Sequence, residues 1–297
     1  MSGGPYTEAD ILWKAEEMVR FDEHDRLARA LQRLCIGKVH FKDGFSWAEQ
    51  FKAENRALIV ANHGPIIGPA VWAMAVFPRI VDLGYGHLTY SAIAHPMIRN
   101  IPLFARMVGY EKRKGQRLRA ADYIELFKSG RLNIVSVAPE GEFSVYGNGV
   151  DIQPFRSPRS LEIALEAGCR IILLVGQGFE KWQRNISIEA GWRKQLVRFL
   201  ALRIPFLDKV DEAALGRARQ LSVSGLFGRI PDFYVASEIY EPELTAAALA
   251  RDREVRDEQL WREAGRMRRQ MVRMLEDLRA DDGSTCGPRP APAPSAT

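Results

Sequence analysis

Four short apolar runs set the terms on which this chain can fold: 57–61 (A-L-I-V-A), 88–94 (L-T-Y-S-A-I-A), 132–137 (L-N-I-V-S-V) and 171–175 (I-I-L-L-V). Each is too short for a buried helix, and each closes on a turn containing Gly or Pro. Longer stretches with helical spacing lie between them. The segment 69–77 (P-A-V-W-A-M-A-V-F) reads as a buried helix stopped by Pro78. Tyr123, Ile124 and Phe127 lie on an amphipathic helix with Gly130 at its end, and 160–167 is a helix ending at Gly168. Buried strands alternating with helices predict an α/β fold: a central sheet, mostly parallel or mixed, flanked by helices. In such sheets functional groups gather beyond the carboxyl ends of the strands.

Around this centre the chain divides into four parts. Residues 1–38 read as an N-terminal helical arm, with a first helix capped at Thr7 and a second over 25–34 ended by Gly37. Residues 39–243 form the α/β domain, with further strands at 39–45 and 233–239. Residues 244–282 are a C-terminal helix whose charges balance, so a solvated face is expected on it. Residues 283–297 are rich in Pro, Ala, Ser and Gly and are expected to be disordered.

The net charge of +5 suits an anionic partner or a merely basic surface. Cys35, Cys169 and Cys286 lack metal-ligand spacing, and an odd count argues against a disulfide framework, which suits a reducing cytoplasm. The N-terminus has neither a basic n-region nor an apolar h-region, so no signal peptide is expected. No window reaches ~18 uninterrupted apolar residues, so no membrane span is expected. The stretch 192–207 (W-R-K-Q-L-V-R-F-L-A-L-R-I-P-F-L) interleaves Arg193, Lys194, Arg198 and Arg203 with large apolar residues. It fits an interfacial helix on an anionic membrane, or a core helix with arginines snorkelling at its edge. Its aliphatic content suits lipid better than nucleic acid, and no nucleic-acid partner is expected.

The run 57–61 delivers Asn62 and His63 to the turn Gly64-Pro65. A rigid strand ending in a polar pair presents a reactive side chain, although such a histidine also caps turns. The run 132–137 ends similarly at Pro139-Glu140-Gly141. There is no G-x-S-x-G elbow, no G-x-x-x-x-G-K loop and no G-x-G-x-x-G after a strand. No metal-ligating cluster is evident.

Taken in order, several blocks resemble the glycerolipid acyltransferases of the lysophosphatidate acyltransferase (PlsC-like) type. Asn62-His63 is similar to the family's N-H-x-x-x-x-D, Pro102-Leu103-Phe104 with Gly109 to its middle segment, and Ala138-Pro139-Glu140-Gly141 to its F-P-E-G-T-R-S. Phe155-Arg156 and Ala164-Leu165-Glu166-Ala167-Gly168 are similar to the helix before its fourth motif. The resemblance spans roughly 39–178. It implies a glycerolipid acyltransferase-like fold and a membrane-associated acyltransferase, peripheral to the cytoplasmic inner face. The acyl group would pass from acyl-CoA or acyl carrier protein to a hydroxyl or amine on a lipid acceptor, with no cofactor.

On this resemblance His63 is the general base and Glu140 its partner or a ligand for the acceptor, the two catalytic residues. Asn62, Arg113, Pro139, Gly141 and Glu142 line the substrate side. The departures are specific. Gly68 stands where the family has the aspartate that orients the imidazole, and Glu142-Phe143-Ser144 replaces Thr-Arg-Ser. Removing such an orienter from a serine protease costs about 10⁴-fold. Here another acid (Glu140 or Glu142) takes its place, a backbone carbonyl does, or acyl transfer is lost. The alternatives to an acyltransferase are a lipid-binding or membrane-docking homologue, and a hydrolase using His63 with water.

Overall fold

The computed structural model describes residues 19–52, 56–65, 68–93, 118–141, 143–146, 150–187, 220–224 and 229–281. In chain order the elements are β1 (Val19–Arg20), α1 (Phe21–Cys35), β2 (Ile36–Asp43), α2 (Trp47–Gln50), β3 (Ala57–Ala61), α3 (Gly68–Asp82), β4 (Thr89–Ile93) and α4 (Ala120–Lys128). There follow β5 (Ile134–Val137), α5 (Phe143–Tyr146), α6 (Arg159–Ala167), β6 (Arg170–Gln177), β7 (Gln183–Ser187), β8 (Gln220–Ser224), β9 (Ile230–Tyr240) and α7 (Arg253–Asp281). The described residues also contain two 3₁₀ turns, Phe179–Trp182 and Ala246–Ala248.

A seven-stranded mixed sheet runs in the order β1-β4-β5-β3-β6-β9-β2. Strands β4, β5, β3 and β6 are parallel, β9 is antiparallel to β6, and β2 is parallel to β9. β7 and β8 form a separate antiparallel pair. All five residues of β3 are buried, as its place in the middle of the sheet requires. Ala57, Ile59 and Ala61 face one way, into a core shared with α1 and α3. Leu58 and Val60 face the other way, into a core shared with α4, α6 and α7. The expected α/β fold is present, with helices on both faces.

The local boundaries differ in instructive ways. The helix over 21–35 belongs to the domain rather than to an arm, since Phe21 and Ala28 are buried in the core and Phe21 stacks on Tyr90 at 4.6 Å. Gly37 does not end that helix. It lies inside β2, where a Cβ would collide with the Pro231 carbonyl of the neighbouring strand. Pro78 does not stop α3 either; the helix continues to Asp82 with Pro78 and Ile80 buried, so packing on both sides overrides a local breaker. The helix expected at Thr7, the stretch 192–207 and the tail 283–297 lie outside the described residues. No described helix is long and apolar enough to cross a membrane.

Candidate active site

The site begins where β3 stops. Asn62 continues the ladder by its backbone, its N–H donating to the Leu174 carbonyl at 3.3 Å. Its side chain then forms one further rung. Nδ2 donates to the Gly176 carbonyl at 3.1 Å, and Oδ1 accepts the Gly176 N–H at 2.8 Å. Trp72 of α3 donates Nε1–H to the Asn62 carbonyl at 2.7 Å. The Asn62 amide is therefore buried and committed to β6. The expectation that it meets substrate is corrected: it fixes the point at which the main chain leaves the sheet. Gly176 is required beneath it, because a Cβ there would stand 2.6 Å from Phe233 and 2.9 Å from Trp72.

The chain next turns sharply. Gly64 adopts a left-handed conformation (φ +63°) directly over the Phe179 ring, where a side chain has neither the backbone freedom nor the space. His63 keeps partial exposure, but its ring is ringed by protein. Nδ1 lies 3.2 Å from the Pro65 carbonyl oxygen and 3.4 Å from that of Gly64. Carbonyls only accept, so Nδ1 carries the proton and Nε2 holds the lone pair. Among the described residues Nε2 has no hydrogen-bond partner. Burial lowers the imidazole pKa, and the carbonyls beside Nδ1 pull it part of the way back. The ring thus favours its neutral form.

The Pro65 carbonyl is itself held, accepting the Gly68 N–H at 2.7 Å. Gly68 opens α3 hard against this turn. A Cβ on Gly68 would fall on the His63 carbonyl oxygen, so the backbone as folded has no room for an aspartate at this position. Among the described residues, the groups that orient the ring are backbone carbonyls.

Glu140 reaches the same turn from β5. It is 1% exposed, yet both its oxygens are engaged. Oε1 accepts the His63 backbone N–H at 2.7 Å, and Oε2 accepts the Gln153 backbone N–H at 2.6 Å. Burial pushes its pKa up to about 7, against the pull of the two N–H donors and the positive charge of Arg268. Glu140 and His63, 77 residues apart in sequence, are brought together. The contact is to the main chain of His63, so the expectation that Glu140 orients the imidazole is corrected.

The rest of the Pro-Glu-Gly turn is shaped by its backbone. Pro139 is buried and its carbonyl accepts the Arg156 N–H at 2.8 Å. Gly141 is left-handed (φ +55°), and its N–H donates to the Ala138 carbonyl at 3.1 Å. Ser144 Oγ donates back to the Gly141 carbonyl at 2.8 Å. These two residues form the turn, while Arg113 and Glu142 lie outside the described residues. No group of His, Cys, Asp and Glu among the described residues is arranged to hold a metal ion. Sequence reasoning assigned no role to Gln153, and none to the Pro65 carbonyl, because both act through backbone atoms that leave no side-chain signal. Gly176 does leave one, its lack of a Cβ, but only the packed neighbours show why it is needed.

No protein-family model matches the chain, and no curated protein matches it. Among solved structures it is similar to the 1-acyl-sn-glycerophosphate (LPA) acyltransferase PlsC of Thermotoga maritima. That match has 15% identity and a TM-score of 0.44, covering 90% of this chain and 88% of the other. At that level it carries no residue role across.

Proposed function

We propose that the protein is an acyltransferase in which His63 acts as general base on a hydroxyl or amine acceptor. One observation carries the reading: Nδ1–H of His63 is tied to a backbone carbonyl, which leaves Nε2 as a lone-pair nitrogen on a rigid strand end. That is the condition a general base must meet, a fixed tautomer with a free acceptor atom at neutral pH. The motif resemblance of Asn62-His63 and Pro139-Glu140-Gly141 supplies the reaction class.

Nε2 takes the proton from the acceptor O–H or N–H as its heteroatom attacks the thioester carbonyl carbon. The tetrahedral intermediate collapses with cleavage of the C–S bond. The imidazolium then returns its proton to the departing thiolate. The donor is a fatty acyl thioester of CoA or acyl carrier protein, and the reaction needs no cofactor. The acceptor is a lipid or lipid-like molecule. We place the enzyme at an anionic membrane surface on the cytoplasmic side, held through the basic, apolar stretch 192–207.

The test is thiol release from long-chain acyl-CoA and acyl carrier protein with a panel of lipid alcohols and amines. The wild type should release thiol in proportion to acylated acceptor, and His63→Ala should lose it by at least about 10²-fold. Release that is equal in the variant, or absent with every donor, would sink the proposal. Release without any acylated acceptor would instead favour a hydrolase.

The crowding at Gly68 favours a second reading, a lipid-binding homologue that has lost transfer. A carbonyl orients an imidazole but cannot neutralise an imidazolium as a carboxylate does. Lipid retention by a protein inert in every thioester assay is the result that separates the two.

A further inference from the structure

A continuous chain of hydrogen bonds runs from the C-terminal helix to the His63 backbone. Arg268, half-buried in the middle of α7, donates Nε–H to the Gln153 carbonyl at 2.9 Å and Nη2–H to the Ile152 carbonyl at 2.6 Å. The N–H of that same Gln153 donates to Glu140 Oε2, whose other oxygen accepts the His63 N–H. Arg279, three turns further along α7, ties the neighbouring residues: its Nη2 lies 2.8 Å from Asp151 Oδ1 and 3.3 Å from the Val150 carbonyl. Ile152 anchors the segment in the core that holds Met267, Met271 and Met274. The stretch 150–153 is therefore strapped to α7 by two arginines, while its Gln153 N–H donates to Glu140.

We propose that Arg268 is a positioning residue for His63: its guanidinium fork fixes the Ile152-Gln153 carbonyls, and thereby the Gln153 N–H, Glu140 and the His63 turn. The chemistry suits the task. A planar fork reaches two consecutive carbonyls at once, which an ammonium on a flexible stem does not. A buried carboxylate held only by backbone N–H groups is as well placed as the backbone that supplies them. Slackening at 152–153 is transmitted to Glu140 and then to the main chain of His63. The inference rests on reading His63 as the base for its kinetic readout. Its structural readout stands apart from any activity.

The experiment compares wild type with Arg268→Met, Arg268→Lys and Arg279→Met. It follows the ¹⁵N and ¹³C signals of the His63 ring by NMR with histidine labelling, and measures kcat and KM for acyl transfer alongside. In Arg268→Met the His63 signals should lose their Nδ1–H tautomer preference, and the titration midpoint should move up towards that of a free imidazole. The kcat should fall by about 10- to 100-fold with KM little changed, the cost of a small misplacement of a reacting group. Arg279→Met should perturb the His63 signals less, because it releases residues further from Glu140. Unchanged His63 signals in a folded Arg268→Met protein would overturn the proposal, as would an equal shift in Arg279→Met. If the methionine variant fails to fold, Arg268→Lys decides: an intermediate shift supports the proposal, and wild-type signals overturn it. If the wild type transfers no acyl group, the proposed function fails while the ring signals still decide the role of Arg268.

Discussion

His63 and Glu140 meet through the main chain, the His63 N–H donating to Glu140 Oε1 at 2.7 Å, while the hydrogen bonds of the ring go to the carbonyls of Gly64 and Pro65. Orienting the ring and holding its turn are here divided between two groups. A carbonyl selects the tautomer, and a buried carboxylate holds the turn in place. The division has consequences that side-chain substitution can reach.

Gly68 should tolerate no side chain. Gly68→Ala places a methyl on the His63 carbonyl oxygen and must displace either the turn or the start of α3. A loss of about 1–3 kcal/mol in urea unfolding is expected, the usual scale of overpacking. Gly68→Asp should lower activity further rather than raise it. A more active aspartate variant would mean that the turn re-forms to admit a carboxylate orienter.

Asn62→Asp keeps the shape of the side chain but turns the donor facing the Gly176 carbonyl into an acceptor. Two buried oxygens then oppose one another. The expected destabilisation is about 1–3 kcal/mol, the cost of a buried polar group left without its partner. Thermal melting of the variant checks it, and an unchanged midpoint would show that the Asn62 rung contributes nothing.

Stability should depend on pH through two groups of opposite sign. The folded pKa of Glu140 is raised to about 7, so between the unfolded carboxylate value of 4.5 and pH 7 the folded state binds the extra proton. Stability from this group is present at low pH and is lost as pH rises through that window, at up to roughly 1.4 kcal/mol per pH unit. The folded pKa of His63 is lowered below 6.5, so there the unfolded state binds the extra proton, and stability is lost as pH falls below 6.5. The two oppose each other in the wild type. Urea unfolding of His63→Ala should leave the Glu140 slope unopposed by His63, with stability falling from pH 4.5 to 7. Glu140→Gln should reverse that slope below pH 6.5. The same lowered imidazole pKa predicts that the acid limb of kcat/KM lies below 6.5.

The sheet was legible because apolar runs such as 57–61 and 171–175 admit little else, and because the packing that buries them is the packing the pattern implies. The pairing of the His63 turn with the Pro-Glu-Gly turn was legible because both follow parallel strands that are neighbours in the sheet, β3 and β5. What each residue contributes was not. Gly68 reads as a missing aspartate, whereas in the fold its bare Cα makes room for the His63 carbonyl and its N–H holds the Pro65 carbonyl that meets the ring. Pro78 reads as a stop because the local rule carries no knowledge of the helix packed against it. Arg268 reads as one charge among many on a mixed helix, and only the folded position of 152–153 turns it inward.

The Asn62 rung makes the reactive turn a graft rather than a loop. The side chain carries the hydrogen-bond ladder onward while the main chain departs, so His63 leaves from a junction held on two arms. Opening that junction means breaking the buried Asn62–Gly176 pair at the end of the β3–β6 ladder, in the middle of the sheet. Heat should therefore abolish catalysis and fold together. Residual activity ought to track the unfolding curve, with no temperature at which the protein is intact but already inert.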